Sequence, residues 1–412
     1  MNRIGFFIGL CCVATTGFAV HGFGTADAPT GLEWEQEQNL SYNKEPARAW
    51  AFSFTEEASA KQILPQFSSR WQSLDSKTEW KFKWSKDPAS RPIGFQNPDY
   101  DVSGWETIVV PASWQTIGAD PAQRKGWGTA LYANQPYPFA RDWPRVMTTP
   151  PKHYTNYEAR NPVGSYRRTF TIPDAWRKEE VYIQFDGVDS FFYLWINGRY
   201  IGFSKDSRDP AAFRITPYLC HGENVVAVEV YRYSDGAYLE CQDMTRLSGI
   251  FRTVQLYAVP QVHIRDFFVQ TNPLDWNKMN GRWEVTIDVE LQNLRAANLP
   301  AEAKLSAKVF DAAGNEVKPV KPADFPWDGI SEKVFNITGQ TSWKTGLKLR
   351  FDTPLLWSAE CPNLYTLILE LRDEKNTLIE VVPSQLGFRK VEVAAHNGQA
   401  EKRFWVNGQK IN

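Results

Sequence analysis

Two residues, Asn197-Gly198, do most to limit the folds open to this chain. They stand between the apolar run Phe191–Ile196 (FFYLWI) and the segment Arg199–Gly202 (RYIG). A two-residue hairpin of type I′ needs positive φ at both central positions, which Asn-Gly adopts at little steric cost. Short runs of the same kind recur on both sides: Trp80–Trp84 (WKFKW), Tyr166–Ile172 (YRRTFTI), Val181–Phe185 (VYIQF), Val225–Tyr231 (VVAVEVY) and Phe251–Leu256 (FRTVQL). Strands of this length between turn formers predict a β-sandwich or jelly roll. Composition agrees: 14% of residues are aromatic, with 26 Gly and 26 Pro, the mixture an all-β chain uses.

Pro260 closes this series and a second begins at Val262. Trp283–Leu291 (WEVTIDVEL) alternates strictly, one face apolar and the other acidic. Lys304–Phe310, the turn Asp311–Asn315 and Glu316–Val320 predict a hairpin; Leu347–Phe351, Leu364–Leu371 and Leu378–Val382 add strands. About seven short strands in roughly 125 residues is the immunoglobulin-like pattern. The boundaries that follow are 29–260 for the jelly roll and 261–390 for the second sandwich. Nowhere do strands and helices alternate as a (β/α)8 barrel of about 250 residues requires. Leu32–Pro46 reads as polar and extended. The tail Phe404–Asn412 (FWVNGQKIN) is a strand entering an Asn407-Gly408 turn; read alone it lacks a partner to complete its sheet, so residues 391–412 are expected to begin a further domain.

Arg3 precedes an uncharged apolar stretch, Ile4–Val20, with small residues at Gly17, Ala19, Ala26 and Ala28. This predicts a signal peptide over 1–28 and a periplasmic or secreted protein; the residues before Cys11 and Cys12 fit a lipoprotein signal poorly. Lys plus Arg is 46 against 47 for Asp plus Glu, a balance that argues against nucleic acid or anionic membrane as partner. Of the cysteines beyond the signal, Cys220, Cys241 and Cys361, buried free thiols are expected, with a Cys220–Cys241 bridge left open.

The chain carries no self-sufficient active site. Glycoside hydrolysis needs two facing carboxylates, yet the only Asn-Glu pair, Asn315-Glu316, falls in a Gly-containing turn. No nucleophile elbow, phosphate-binding loop or His ligand spacing is present. Two segments break the sandwich pattern. Ser234–Ile250 (SDGAYLECQDMTRLSGI) gathers Asp235, Glu240, Asp243 and Arg246 beside Tyr238 and Met244. Its carboxylates suit sugar hydroxyls or a hard cation; an Asp243–Arg246 ion pair with Asp235 capping a turn is the structural alternative. Trp114–Asn161 is a long loop with Trp127, Tyr132, Tyr137 and Trp143, and with Asn134 in its middle. Loops of this length are usually functional, and an amide both donates to and accepts from a hydroxyl.

These segments resemble glycoside hydrolase family 2. The resemblance is carried by ENVVAVEVYRYSDGAYLECQDMTRLSGIFR, FDGVDSFFYLWINGRYIGFSKDSRDPAAF, NPVGSYRRTF, VPASWQ, LYANQPYPF, LWSAECPNLYTLILEL and LGFRKVEV, and is nearest to the large β-galactosidases. It implies a jelly-roll sugar-binding domain, an immunoglobulin-like domain and then a catalytic barrel into which FWVNGQKIN leads. Both catalytic glutamates and the magnesium ligands would belong to that barrel, so this chain alone is expected to hydrolyse nothing. The implied partners are a β-galactoside and the barrel, in a full-length form that is a homo-oligomer. By the same resemblance, Asn134 in LYANQPYPF reaches the sugar hydroxyls, and Asp243 in CQDM contacts galactose and ligates sodium as part of an incomplete site. Cys241, Thr245 and Ala212 depart from the family's common Asp, Trp and Glu, which leaves β-glucuronidase or β-mannosidase specificity open. A stand-alone carbohydrate-binding or scaffold protein is the remaining alternative.

Overall fold

The computed structural model describes residues 28–117, 126–134, 137–149, 160–240, 243–275, 278–320, 332–394 and 402–411. The signal segment and Cys241 therefore lie outside the described residues, apart from Ala28. Up to Pro260 the strands are β1 (Ser41–Tyr42), β2 (Trp71–Ser73), β3 (Ser76–Ser85), β4 (Glu106–Val110), β5 (Leu131–Ala133), β6 (Val163–Thr171), β7 (Glu180–Phe185), β8 (Val188–Asp189), β9 (Phe191–Ile196), β10 (Arg199–Ser204), β11 (Ala211–Arg214), β12 (Glu223–Tyr231), β13 (Met244–Arg246), β14 (Gly249–Ile250) and β15 (Val254–Val259). A seven-stranded sheet, β1-β10-β9-β12-β6-β3-β4, packs on a four-stranded one, β11-β7-β15-β2. All of their pairings are antiparallel.

The run FFYLWI shows why this sandwich needs its long loops. Its side chains alternate across the sheet: Phe192, Leu194 and Ile196 enter the core between the sheets with Ile183, Phe185 and Leu256. Phe191, Tyr193 and Trp195 face the other way, into a second cluster with Trp34, Phe95, Phe139 and Tyr238. That outer face is covered by Leu32–Pro46, by the segment around Phe139 and by residues after β12. Leu32–Pro46 is thus less extended than its polarity predicts. It contains a 3₁₀ turn at Glu33–Glu35 and adds β1 to the edge of the large sheet. The Asn197-Gly198 hairpin forms as predicted, with φ of 51° and 77° and Ile196 opposite Arg199.

At Gly202 in β10, an added Cβ would lie 2.1 Å from the Tyr42 carbonyl oxygen. Gly202→Ala should therefore detach β1 and cost about 1–3 kcal/mol, seen as a lower urea midpoint and new proteolytic cleavage near Tyr42.

Beyond Pro260 come β16 (Val262–Pro273), β17 (Arg282–Asn293), β18 (Ala301–Phe310), β19 (Glu332–Ile337), β20 (Thr341–Asp352), β21 (Tyr365–Asp373) and β22 (Leu378–Leu386). Sheets β16-β17-β20 and β19-β18-β21-β22 enclose a core containing Trp283, Ile287, Leu305, Leu349 and Leu369. The two sandwiches are joined by the chain around Phe54, whose backbone bridges to Val381. Arg70 clamps that junction: it donates to Glu179, to Ser53 Oγ at 3.0 Å and to the Phe54 and Ile379 carbonyls at 3.2 and 3.1 Å.

Several expectations are corrected. The strand placed at Phe251–Leu256 runs instead over Val254–Val259, because Phe251 and Arg252 turn to hydrogen bond with the Gly187 carbonyl. The hairpin expected over 304–320 forms at its tip, where Glu316 bridges to Phe310 and the Val317 N–H donates to the Val309 carbonyl at 2.8 Å, while the full-length neighbours of β18 are β19 and β21. The terminal strand does have a partner: β23 (Val391–Ala394) pairs with β24 (Arg403–Val406), which turns at Asn407-Gly408 into β25 (Gln409–Lys410). Cys220 and Cys361 are exposed rather than buried, both standing in connections outside the cores.

Candidate functional site

Asn134 and Asp243 lie more than a hundred residues apart in sequence, and the fold brings them together. β5 and β13 form a two-stranded antiparallel ladder with Met244 opposite Ala133, Thr245 opposite Tyr132 and Arg246 opposite Leu131. Asn134 follows β5 and Asp243 precedes β13, so both sit at one end of the ladder. There the Asp243 N–H donates to the Asn134 carbonyl at 3.3 Å. Asp243 has φ 47°, a left-handed conformation that aspartate tolerates better than most residues. Both side chains are exposed.

Tyr132 orients the aspartate: its hydroxyl donates to Asp243 Oδ1 at 2.6 Å. The hydrogen bond and the charge of Asp243 push the Tyr132 phenol above its ordinary range. Among the described residues Oδ1 alone accepts a hydrogen bond, which leaves the rest of the carboxylate for a ligand. One exposed carboxylate next to a backbone turn fits a single oxygen ligand of a hard monovalent cation, with the other oxygens coming from elsewhere. No group of three or more His, Cys, Asp or Glu that could hold a metal occurs among the described residues.

The ladder is fixed from below. The Arg232 guanidinium donates to the Thr129 and Arg246 carbonyls at 2.8 and 3.1 Å, tying the stretch before β5 to β13. Arg246 is buried with its guanidinium 5.7 Å from the Tyr137 ring. The short helix Ala237–Glu240 precedes Asp243 in the chain. Its Glu240 carboxylate accepts from the Ser207 N–H and hydroxyl at 2.9 and 2.7 Å. Arg208 donates to Asp189 at 3.4 Å and reaches the Met244 sulfur at 3.9 Å. The segment Ser207-Arg208 thus holds both ends of the loop that presents Asp243.

Asp189 is the most perturbed acid in this support. Burial pushes its carboxyl up to about 7, against the pull of Arg208 and with help from Glu240. The unfolded chain would ionise near the ordinary value of about 3.9. Between these values the folded state holds the extra proton, so raising the pH costs stability. The contribution of the neutral carboxyl is complete below about pH 4 and is lost as pH rises through 7. Asp189→Asn should abolish this decline and leave the variant more stable than wild type at pH 8 by on the order of 1–4 kcal/mol. Urea unfolding at pH 5 and pH 8 checks it.

Asp235 is more than a turn cap. It is buried and ion-paired to the equally buried Lys205 at 2.8 Å. Lys205 also donates to the Gln36 carbonyl at 2.9 Å. Burial pushes Lys205 down and Asp235 up, while their contact draws each back. Sequence reasoning missed Lys205, Asp189, Ser207 and Arg208, because their partners are distant in the chain and no local spacing marks them. Tyr132 was visible as an aromatic of the long loop but not as the aspartate's partner. Asn315-Glu316 lies where expected, in a turn capped by Asp311, which accepts from the Asn315 N–H at 2.8 Å.

Comparison with known proteins gives a consistent picture. Residues 71–260 match the family model "Glycosyl hydrolases family 2, sugar binding domain" and residues 262–389 match "Glycosyl hydrolases family 2", together well over half of the chain. A β-galactosidase of Priestia megaterium is 35% identical over 390 residues, covering 94% of this chain and 34% of that protein. A β-galactosidase large subunit of Leuconostoc lactis is 35% identical over 341 residues, covering 81% of this chain and 48% of that protein. The chain therefore spans about a third to a half of the length of these relatives. The solved structure of a Bacteroides uniformis β-glucuronidase superposes with a TM-score of 0.61 at 20% identity, over 82% of this chain and 34% of that one, a likeness of fold.

Proposed function

The chain belongs to glycosyl hydrolase family 2, and on that premise we propose that it is the sugar-facing, two-sandwich portion of an exported β-galactosidase. The reaction in this reading is retaining hydrolysis of terminal β-D-galactosides. The observation that carries it is the β5–β13 ladder, which brings Asn134 and Asp243 together at one end, both residues exposed. Such a pair meets vicinal sugar hydroxyls well, since a carboxylate accepts two hydrogen bonds and an amide does both. Asp243 would also supply one oxygen ligand to a sodium ion, the other ligands coming from elsewhere.

Retention needs two carboxylates about 5–5.5 Å apart across the glycosidic bond. In this reading both glutamates, and the magnesium site, lie in a catalytic barrel beyond these 412 residues, and the full-length form assembles as a homo-oligomer. The β23–β24 sheet supports a following domain. Val391, Val393 and Phe404 are all more than half exposed, with Val393 directly opposite Phe404. An apolar patch of that kind calls for a cover.

The test joins this chain at Asn412 to the C-terminal remainder of the P. megaterium relative. The isolated chain should turn over no nitrophenyl β-galactoside, and the joined protein should. A folded joined protein that prefers a β-glucuronide, or turnover by the isolated chain, would contradict the reading.

A further inference from the structure

A second feature on the first sandwich shares no lining residue with the Asn134–Asp243 ledge. An open groove of about 470 Å³ is lined by Glu35, Gln36, Glu37, Gln38, Asn39 and Pro144. That volume lies within the range of roughly 300–1,000 Å³ typical of small-molecule clefts. Trp143, next to Pro144, is 48% exposed. Its indole N–H donates to the Glu37 carboxylate, and its ring system packs nearly perpendicular to Tyr238, at 5.1 Å between centroids and 71°. A large aromatic is thus anchored at the groove's rim with nearly half of its surface still in water.

The polar wall is held rigidly. Buried Lys205 grips the Gln36 carbonyl, and Asp235 donates its N–H to the Trp34 carbonyl at 2.9 Å. The Glu35 carboxylate accepts the Val146 N–H at 2.7 Å, tying the wall to the segment that carries Trp143. Asn39 donates to the Gln36 side-chain oxygen at 2.9 Å. The groove thus offers amides and carboxylates beside an indole, with Glu35, Gln36, Glu37 and Asn39 held by hydrogen bonds, which lowers the ordering cost of binding.

We infer that this groove is a second saccharide site, with Trp143 stacking on the C–H face of a pyranose ring while Glu37, Gln38 and Asn39 take its hydroxyls. The ligand class follows from charge. The lining residues include Glu35 and Glu37 and no cation, so a sugar carboxylate would meet like charge at close range. Neutral oligosaccharides fit, and uronic acids are excluded. The site stands independently of what Asn134 and Asp243 bind.

Saturation-transfer NMR on the purified chain, with a neutral galacto-oligosaccharide and a glucuronate-containing one as probes, tests this. Wild type should bind the neutral probe and not the acidic one. Trp143→Ala should weaken binding by about tenfold or more, Trp143→Phe should recover part of the loss, and both variants should melt as wild type does. Asp243→Ala identifies which site is being read: binding that survives it but not Trp143→Ala assigns the sugar to the groove. No binding by wild type, binding unaffected by Trp143→Ala, or binding lost only with Asp243→Ala would overturn the inference. None of these outcomes depends on catalysis by a joined barrel, so this inference and the proposed reaction can fail separately.

Discussion

Asp235→Ala lowers the unfolding free energy of this chain by about 3–5 kcal/mol, the cost of leaving one member of a buried ion pair without the other. Asp235 and Lys205 are 4% and 3% exposed at their side chains. Removal of the carboxylate leaves a buried ammonium held by the Gln36 carbonyl. The charge must either stay desolvated or open a path for water through the outer cover of the sheet. The effect belongs to the broken pair, not to the pair's net worth: Lys205→Met with Asp235→Leu should stand far closer to wild type, since apolar replacement of a whole buried pair is often neutral. Urea unfolding followed by tryptophan fluorescence measures both. A single-variant loss below about 1 kcal/mol, the level of an exposed pair, would mean that water already reaches this site. The same variant should loosen the wall formed by Glu35–Asn39, because Lys205 is its anchor.

Asp243→Ala in the joined protein reduces kcat/KM for a β-galactoside by roughly 10- to 150-fold. That range corresponds to about 1.5–3 kcal/mol for a hydrogen bond to a charged group. The loss should leave stability nearly unchanged, because Asp243 is exposed and its carboxylate meets Tyr132 at the surface. Tyr132→Phe should cost less, about 2- to 10-fold, since it removes the hydrogen bond that orients the carboxylate and leaves the carboxylate itself in place. If Asp243→Ala lowers stability as much as activity, the residue is a loop support instead of a sugar contact. Equal activities for wild type and variant would remove Asp243 from the site altogether.

Much of the fold was legible because its signals are local. The Asn197-Gly198 turn, the strict alternation of Trp283–Leu291 and the break at Pro260 are each decided within a dozen residues, and the strands follow them. The run FFYLWI was readable as a strand but not as one buried on both faces. Its outer cover comes from Trp34 and Phe139, which no periodicity connects to it. The site divides in the same way. Asn134 and Asp243 were legible through the motifs LYANQPYPF and CQDM, whereas their adjacency depends on a three-residue ladder between distant loops. Lys205, Ser207 and Arg208 were hidden for a further reason: on sequence they are ordinary polar residues after a strand, and only partners distant in the chain turn them into anchors. The partner of the terminal strand was missed because β23 precedes it across 395–402 and is only four residues long.

A crystal structure of the joined protein soaked with galactose, at a resolution that shows the sugar hydroxyls, tests the central claim most directly. The account places a galactose ring with hydroxyls within about 2.7–3.2 Å of the Asn134 amide and the Asp243 carboxylate. A ring bound in the catalytic pocket with both side chains beyond hydrogen-bonding distance would contradict it.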